Sequence, residues 1–259
     1  MSRPVITPSR RLPRFLHSHH VSMEELRIHY SKIPGRRIIP QGGQVRMRFP
    51  EVAEHLVSVM PGSHNVLIYD SRESKREVLF NHLKVGEPDS KLVYVCSEER
   101  PETIREAMGM QGIDVERLER ERRLDVPGYE EVYIAKDGTV DVKKIVDGFA
   151  YQAFDSKRHG LKGIRAAAEM SCFFKRGKVV ELIEYERALG TRFHFPGAGL
   201  CAYNVLEMQA AGCLDTLMPL LRAHGSVILT GPRGAVVLQA DRAQQRDVER
   251  TLDIKIPFR

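Results

Sequence analysis

Two adjacent carboxylates, Glu98 and Glu99, stand where a β-rich run gives way to a helical one. An acid at such a strand end can polarise water or hold a cation. Two further polar residues interrupt apolar stripes. Val179, Leu182 and Ile183 set one face of a predicted helix that continues to Glu186, so that carboxylate points toward the sheet. Burying it unpaired is costly, and it needs a basic partner such as Arg165, or a ligand. Leu217, Met218 and Leu221 lead in the same way to His224, placed to cap a helix or to join a site. Lys75 and Arg76 can bind an anion, but they read more readily as the solvated first turn of a helix. The spacing of Cys96, Cys172, Cys201 and Cys213 shows no zinc pattern, and no Ser-His-Asp set or Rossmann glycine pattern competes. The expected cofactor and metal lists are therefore empty, with the histidines of 17–20 at most an adventitious metal contact.

The elements that must position these residues alternate short β-rich runs with helical periods, the pattern of a mainly parallel sheet covered by helices. Strands are expected at Val66–Asp70, Lys91–Cys96, Glu131–Ile134, Gly163–Ser171, Leu200–Asn204, Ser226–Thr230 and Ala235–Leu238, the last as an antiparallel addition. Helices are expected at Glu51–Met60, Glu73–Val85, Pro101–Gln111, Val142–Arg158, Val179–Leu189 and Thr216–Ala223, where Pro219 is tolerated only near the first turn. Ligands of open α/β sheets bind beyond the carboxyl ends of the strands. The predicted ligand-binding set is therefore Tyr69, Asp70, Arg72, Glu98, Glu99, Glu169, Glu186, Tyr203, Asn204 and His224. Tyr69, Tyr203, Met170 and Cys201 would form an aromatic, soft pocket mouth suited to an uncharged or weakly polar small molecule. The first strand runs into SRESKRE. A phosphate cradle needs glycines followed by Lys and Ser or Thr, and this segment has none of those glycines.

The 259 residues, 42% hydrophobic, suffice for one large core. Scattered cysteines and the lack of a long apolar run point to a cytoplasmic protein with no membrane partner. Charge is uneven. Residues 1–50 hold ten Lys or Arg against Glu24 and Glu25, a segment of +8 in a chain of +6. This proline-interrupted arm, with a short helix at most across Ser22–Lys32, precedes a main domain at 51–259. Arg10, Arg11, Arg14, Arg36, Arg37, Arg46 and Arg48 would contact nucleic acid or another polyanion. The alternative is an arm that is solvated or packs on a sister subunit of a homo-oligomer.

The order of these segments resembles a known family. The run from His64 through Glu99, with Gly112-Ile-Asp after it, is similar to the opening of RecA-like domains of the circadian-clock ATPase type, with Glu98 and Glu99 at the place of the catalytic glutamate pair. A closer similarity is to the methanogen/methylotroph sensory domain of the dichloromethane-responsive repressor. It is carried by His64, the strand ending at Tyr69, Gly112-Ile-Asp, GIRAAAEM at 163–170, the glutamate of ELIEYERAL, LCAYN at 200–204 and LLRAH at 220–224. Asn204 departs from the acid that this family tends to carry after its tyrosine, and the arm does not look like a helix-turn-helix. The resemblance implies a three-layer RecA-like α/β fold, with helices on both faces and a basic arm attached. It further implies a non-catalytic sensor of a small, hydrocarbon-derived ligand in a signalling or transcription-regulatory protein. The competing readings are a nucleic-acid-binding or scaffold protein, and a divergent ATPase.

Overall fold

In the computed structural model, residues 49–257 are described. The basic arm, its arginines from Arg10 to Arg48, the short helix across Ser22–Lys32 and the histidines of 17–20 lie outside them. Seven strands make one sheet: β1 (His64–Tyr69), β2 (Lys91–Val95), β3 (Leu124–Asp125), β4 (Ile164–Glu169), β5 (Gly197–Asn204), β6 (Ser226–Gly231) and β7 (Gly234–Gln239). Their spatial order is β3-β2-β4-β5-β1-β6-β7, with only β7 antiparallel to its neighbour. Strands β1 and β4 are buried at every position, which is why they read as near-continuous apolar runs.

Helices cover both faces, giving three layers. One face, carrying Val66, Ile68, Ala166, Cys201 and Tyr203, packs on α6 (Val142–Arg158), α8 (Val179–Leu189), α10 (Leu217–Arg222) and α11 (Gln245–Leu252). The other, carrying Leu67, Tyr69, Tyr94, Ala167 and Ala202, packs on α1 (Phe49–Ser58), α2 (Arg72–Gly86), α3 (Pro101–Met110) and α4 (Val115–Arg120). Short helices α5 (Tyr129–Val132), α7 (Ser171–Lys175) and α9 (Val205–Ala210) fill the connections. No described helix is long and apolar enough to cross a membrane.

Local chemistry explains most element ends. Ser71 caps α2 by accepting from the Ser74 N–H, and Asp141 caps α6 by accepting from Lys144. Pro219 sits at the third position of α10, where a missing N–H costs nothing. Three expectations are corrected. The strand predicted at Glu131–Ile134 is the end of α5 and the turn after it, because Glu131 accepts from the Gly128 N–H and turns its acid into a helix cap. The third strand is instead the two-residue edge Leu124–Asp125. The run predicted through Ser171 ends at Glu169, with Ser171 opening α7.

Gly163 holds the entry to β4 at φ +140°, and a Cβ there would lie 1.7 Å from the Pro196 carbonyl oxygen. Both the backbone angle and the contact exclude any other residue. Gly163→Ala should destabilise the protein by at least about 3 kcal/mol, read as a lowered urea midpoint or loss of soluble protein, whereas Gly148→Ala, with open space around its Cβ and a helical backbone, should cost nothing.

Candidate functional site

Register and pleat divide the predicted site residues between the two faces. In a parallel pair, laterally paired residues point to the same side. Tyr69 pairs with Asn204, and Ile68 with Tyr203. Tyr69 and Tyr203 therefore point to opposite faces, and the pocket mouth expected from Tyr69, Tyr203, Met170 and Cys201 does not assemble. Glu169, paired with Ala202, shares the face of Tyr69.

On that face the residues close around Lys75. Its ammonium lies 2.6 Å from Glu169 Oε1, 3.0 Å from Glu98 Oε2 and 3.4 Å from Glu99 Oε1. The remaining lone pairs are also taken. Tyr94 OH donates to Glu169 Oε1 at 2.7 Å, and the backbone N–H groups of Ser97 and Glu98 donate to Oε2, each at 2.7 Å. Tyr69 and Ser171 hydroxyls donate to Glu98, and the Arg76 guanidinium holds Glu99. Lys75 has 0% exposure, so the expectation of a solvated helical turn is wrong. The reason is helical spacing: Lys75 stands three and four residues before Val78 and Leu79 on the buried side of α2. That spacing was visible in the sequence. Asp70 and Arg72 sit at the rim, half-buried and exposed, with Arg72 Nε 3.7 Å from Glu99. Asn204 serves as the cap of α9 through the N–H groups of Leu206 and Glu207.

These contacts set the charges. Burial opposes ionisation of Glu98 and Glu99, but Lys75, with Ser171 and Tyr69 at Glu98 and Arg76 at Glu99, outweighs it and holds both below the usual carboxylate value of 4.5. Burial likewise opposes the Lys75 charge, and Glu169 and Glu98 outweigh it, raising the ammonium above 10.5. Burial pushes the Tyr69 and Tyr94 phenols up, so both remain donors.

The opposite face carries the second cluster, made of side chains far apart in sequence. His64 opens β1, Cys201 lies within β5, Glu186 faces inward from α8, and His224 follows α10. Glu186 Oε2 is 3.2 Å from His64 Nε2 and 3.4 Å from His224 Nε2, while Oε1 accepts from the Tyr203 hydroxyl. Arg165, the partner suggested by sequence, is on the other face, bonded to the Leu56 carbonyl at 2.7 Å. Burial and then His224 push His64 down, keeping it neutral at pH 7. Burial raises the Cys201 thiol, and the Glu186 carboxylate adds to that. Beside this cluster a cavity of about 20 Å³ lies among Tyr133, Phe149, Ala166, Ala168, Tyr185 and Cys201, with Phe193 and Phe195 at its edge.

A mainly parallel sheet between two helical layers is the three-layer α/β class anticipated from the sequence. The chain belongs to the MEDS family, the methanogen/methylotroph, DcmR sensory domain, whose profile matches residues 63–224. This is a sensory domain. No curated protein matches the chain. Among solved structures it is similar to three from Pyrococcus horikoshii OT3. The first, studied as project PH0250, has 10% identity, covering 71% of this chain and 90% of that one, TM-score 0.49. The second, the uncharacterized protein PH0321 in complex with an unknown peptide, has 14%, 74%, 90% and 0.49. The third, the KaiC-like protein PH0186, has 14%, 77%, 88% and 0.44.

Removing the ammonium leaves three carboxylates together, so Lys75→Met should lower the unfolding free energy by about 3–5 kcal/mol, and adding Glu169→Gln should recover part of it. Because Glu98 is depressed in the folded state, its contribution is complete above its unfolded value and is lost as pH falls through the folded one. Wild type should exceed Glu98→Gln by about 1–3 kcal/mol in urea denaturation at pH 7, and the gap should close on acidification below pH 4.5.

Proposed function

We propose that this domain senses a small, apolar or weakly polar molecule in the cavity between strands β4–β5 and helices α6 and α8, without catalysing a reaction on it. The cavity carries the reading. Its walls are aromatic rings and the small side chains of Ala166 and Ala168, and the polar groups its lining residues carry are the Tyr133 and Tyr185 hydroxyls, which stand beside each other, and the Cys201 thiol. Such a lining favours apolar surface with few polar atoms. The strand-end crevice that sequence favoured is a poorer receptor, because Lys75 and its three carboxylates already satisfy one another and an incoming phosphate would meet those carboxylates. The same saturation weighs against a divergent ATPase built on Glu98 or Glu99.

At about 20 Å³ the cavity has room for little more than a water-sized group. A ligand of several heavy atoms must displace the stacked pair Phe193 and Phe195, whose ring centroids are 4.6 Å apart on the segment between α8 and β5. Gly199, whose Cβ would lie 2.5 Å from the Phe193 ring, leaves the space that ring occupies. Binding and movement of this segment are thereby one event, which gives a sensor its output.

With methyl-labelled protein, xenon or small halocarbons and arenes should shift the Ala166 and Ala168 methyl resonances, and Ala168→Leu should abolish the response at a stability cost of about 1–3 kcal/mol. Folded wild type whose methyls respond to none of these probes would refute the assignment. The +8 segment at 1–50 supports a second role, contact with nucleic acid as the regulatory output. Affinity should then fall steeply with salt and vanish when residues 1–50 are deleted, as measured by fluorescence anisotropy.

A further inference from the structure

The cavity reading leaves unused the buried group beside it. One ligand-type atom from each of His64, Glu186, Cys201 and His224 lies within 4.8 Å of every other, and all four residues are buried. We propose that these four side chains form a site for a divalent first-row transition-metal ion of zinc's class. The site stands independently of whether the neighbouring cavity takes a ligand.

Hydrogen bonding at the periphery aims the lone pairs inward. His64 Nδ1 is 2.7 Å from the Gly190 carbonyl oxygen, and His224 Nδ1 is 2.8 Å from that of Leu220. A carbonyl oxygen only accepts, so each Nδ1 carries a proton, and in the neutral imidazole each Nε2 is the lone-pair atom turned to the centre. Ligating histidines are oriented this way in metal sites. Tyr203 donates to Glu186 Oε1, which fixes the carboxylate with Oε2 turned to the same point.

At that point the groups satisfy one another only in part: His64 Nε2 and the Cys201 thiol are within hydrogen-bond reach at 3.4 Å. Glu186 Oε2 and His224 Nε2 are buried without a hydrogen bond, 3.4 Å apart. A carboxylate oxygen and an imidazole nitrogen facing each other in a dry interior need a cation between them, and either a proton or a metal ion supplies it. The spacing suits a metal ion. Zinc bonds of about 2.0–2.3 Å place the corners of a tetrahedron about 3.3–3.8 Å apart. The contacts from His64 Nε2 to Glu186 Oε2 and to Cys201 Sγ are 3.2 and 3.4 Å. Charge also balances: a divalent ion is neutralised by one carboxylate and one thiolate, with both imidazoles neutral. Binding displaces the Cys201 thiol proton to solvent. A nitrogen, sulfur and oxygen donor set selects this class of ion over magnesium or calcium. The ligands come from β1, α8, β5 and the turn after α10, so the ion would clip two helices to the sheet.

The test uses the full chain, stripped with chelator under reducing conditions and shown by circular dichroism to be folded, then titrated with Co²⁺. Expected is uptake of one equivalent, with a thiolate-to-cobalt band in the near ultraviolet and intense tetrahedral absorption in the visible, both bleached by Zn²⁺. Cys201→Ser should lose the near-ultraviolet band, and His224→Gln, which removes a ligand nitrogen, should weaken binding by more than the roughly 10–100-fold that loss of an outer-shell partner costs. Replacing His17, His19 and His20 together by alanine should leave the spectrum intact. No stoichiometric uptake by folded wild type would overturn the proposal, and so would a band that persists in Cys201→Ser or depends on the three arm histidines. If the ligand variants fail to fold, the wild-type spectrum and its arm control decide alone.

Discussion

Strands β1 and β4 are buried on both sides, so a polar side chain on either cannot pass its charge to water. Each must be matched on the face to which the pleat directs it. Glu169 at the end of β4 is matched by Lys75 across 2.6 Å, and this ion pair ties α2 to the sheet while the loop after β2 wraps its backbone N–H groups around the same carboxylate. The arrangement of α2, β2 and β4 at that end follows from satisfying one buried glutamate.

The opposite face solves the same problem incompletely. Glu186 is fixed by Tyr203 through one oxygen, yet its other oxygen, 3.2 Å from His64 Nε2 and 3.4 Å from His224 Nε2, has no well-formed hydrogen bond. A saturated network is a structural element, whereas an unsaturated one beside a cavity is where a ligand or ion gains most from binding. This difference in saturation, rather than the number of charged residues, separates the two clusters. It is the reason the proposed ligand and ion sites lie under α8 and α10 instead of in the strand-end crevice that open α/β sheets ordinarily use.

Much of the architecture was legible locally. The helices Val142–Arg158 and Val179–Leu189 follow from their apolar stripes, and the inward carboxylate of Glu186 and the terminal position of His224 follow from the same stripes. Lys75 was equally legible from its spacing to Val78 and Leu79, although its proximity to the helix start suggests solvent instead. The edge strand Leu124–Asp125 was not legible, because two residues carry no periodicity and the acids beside Tyr129 serve a helix end.

The sequence by itself determined the alternation of strand and helix, the family, and the inward placement of Glu186 and His224, because periodicity, capping and segment order are properties of neighbours along the chain. Only the tertiary structure decided which residues meet. Tyr69 and Tyr203 end adjacent paired strands, yet a one-residue offset in register turns them to opposite faces. His64, Glu186, Cys201 and His224 show no ligand spacing, since each lies on a different element and only the packing of helices on the sheet brings them within 4.8 Å. Lateral register is set by long-range packing of the whole core, and no local stretch of sequence contains it.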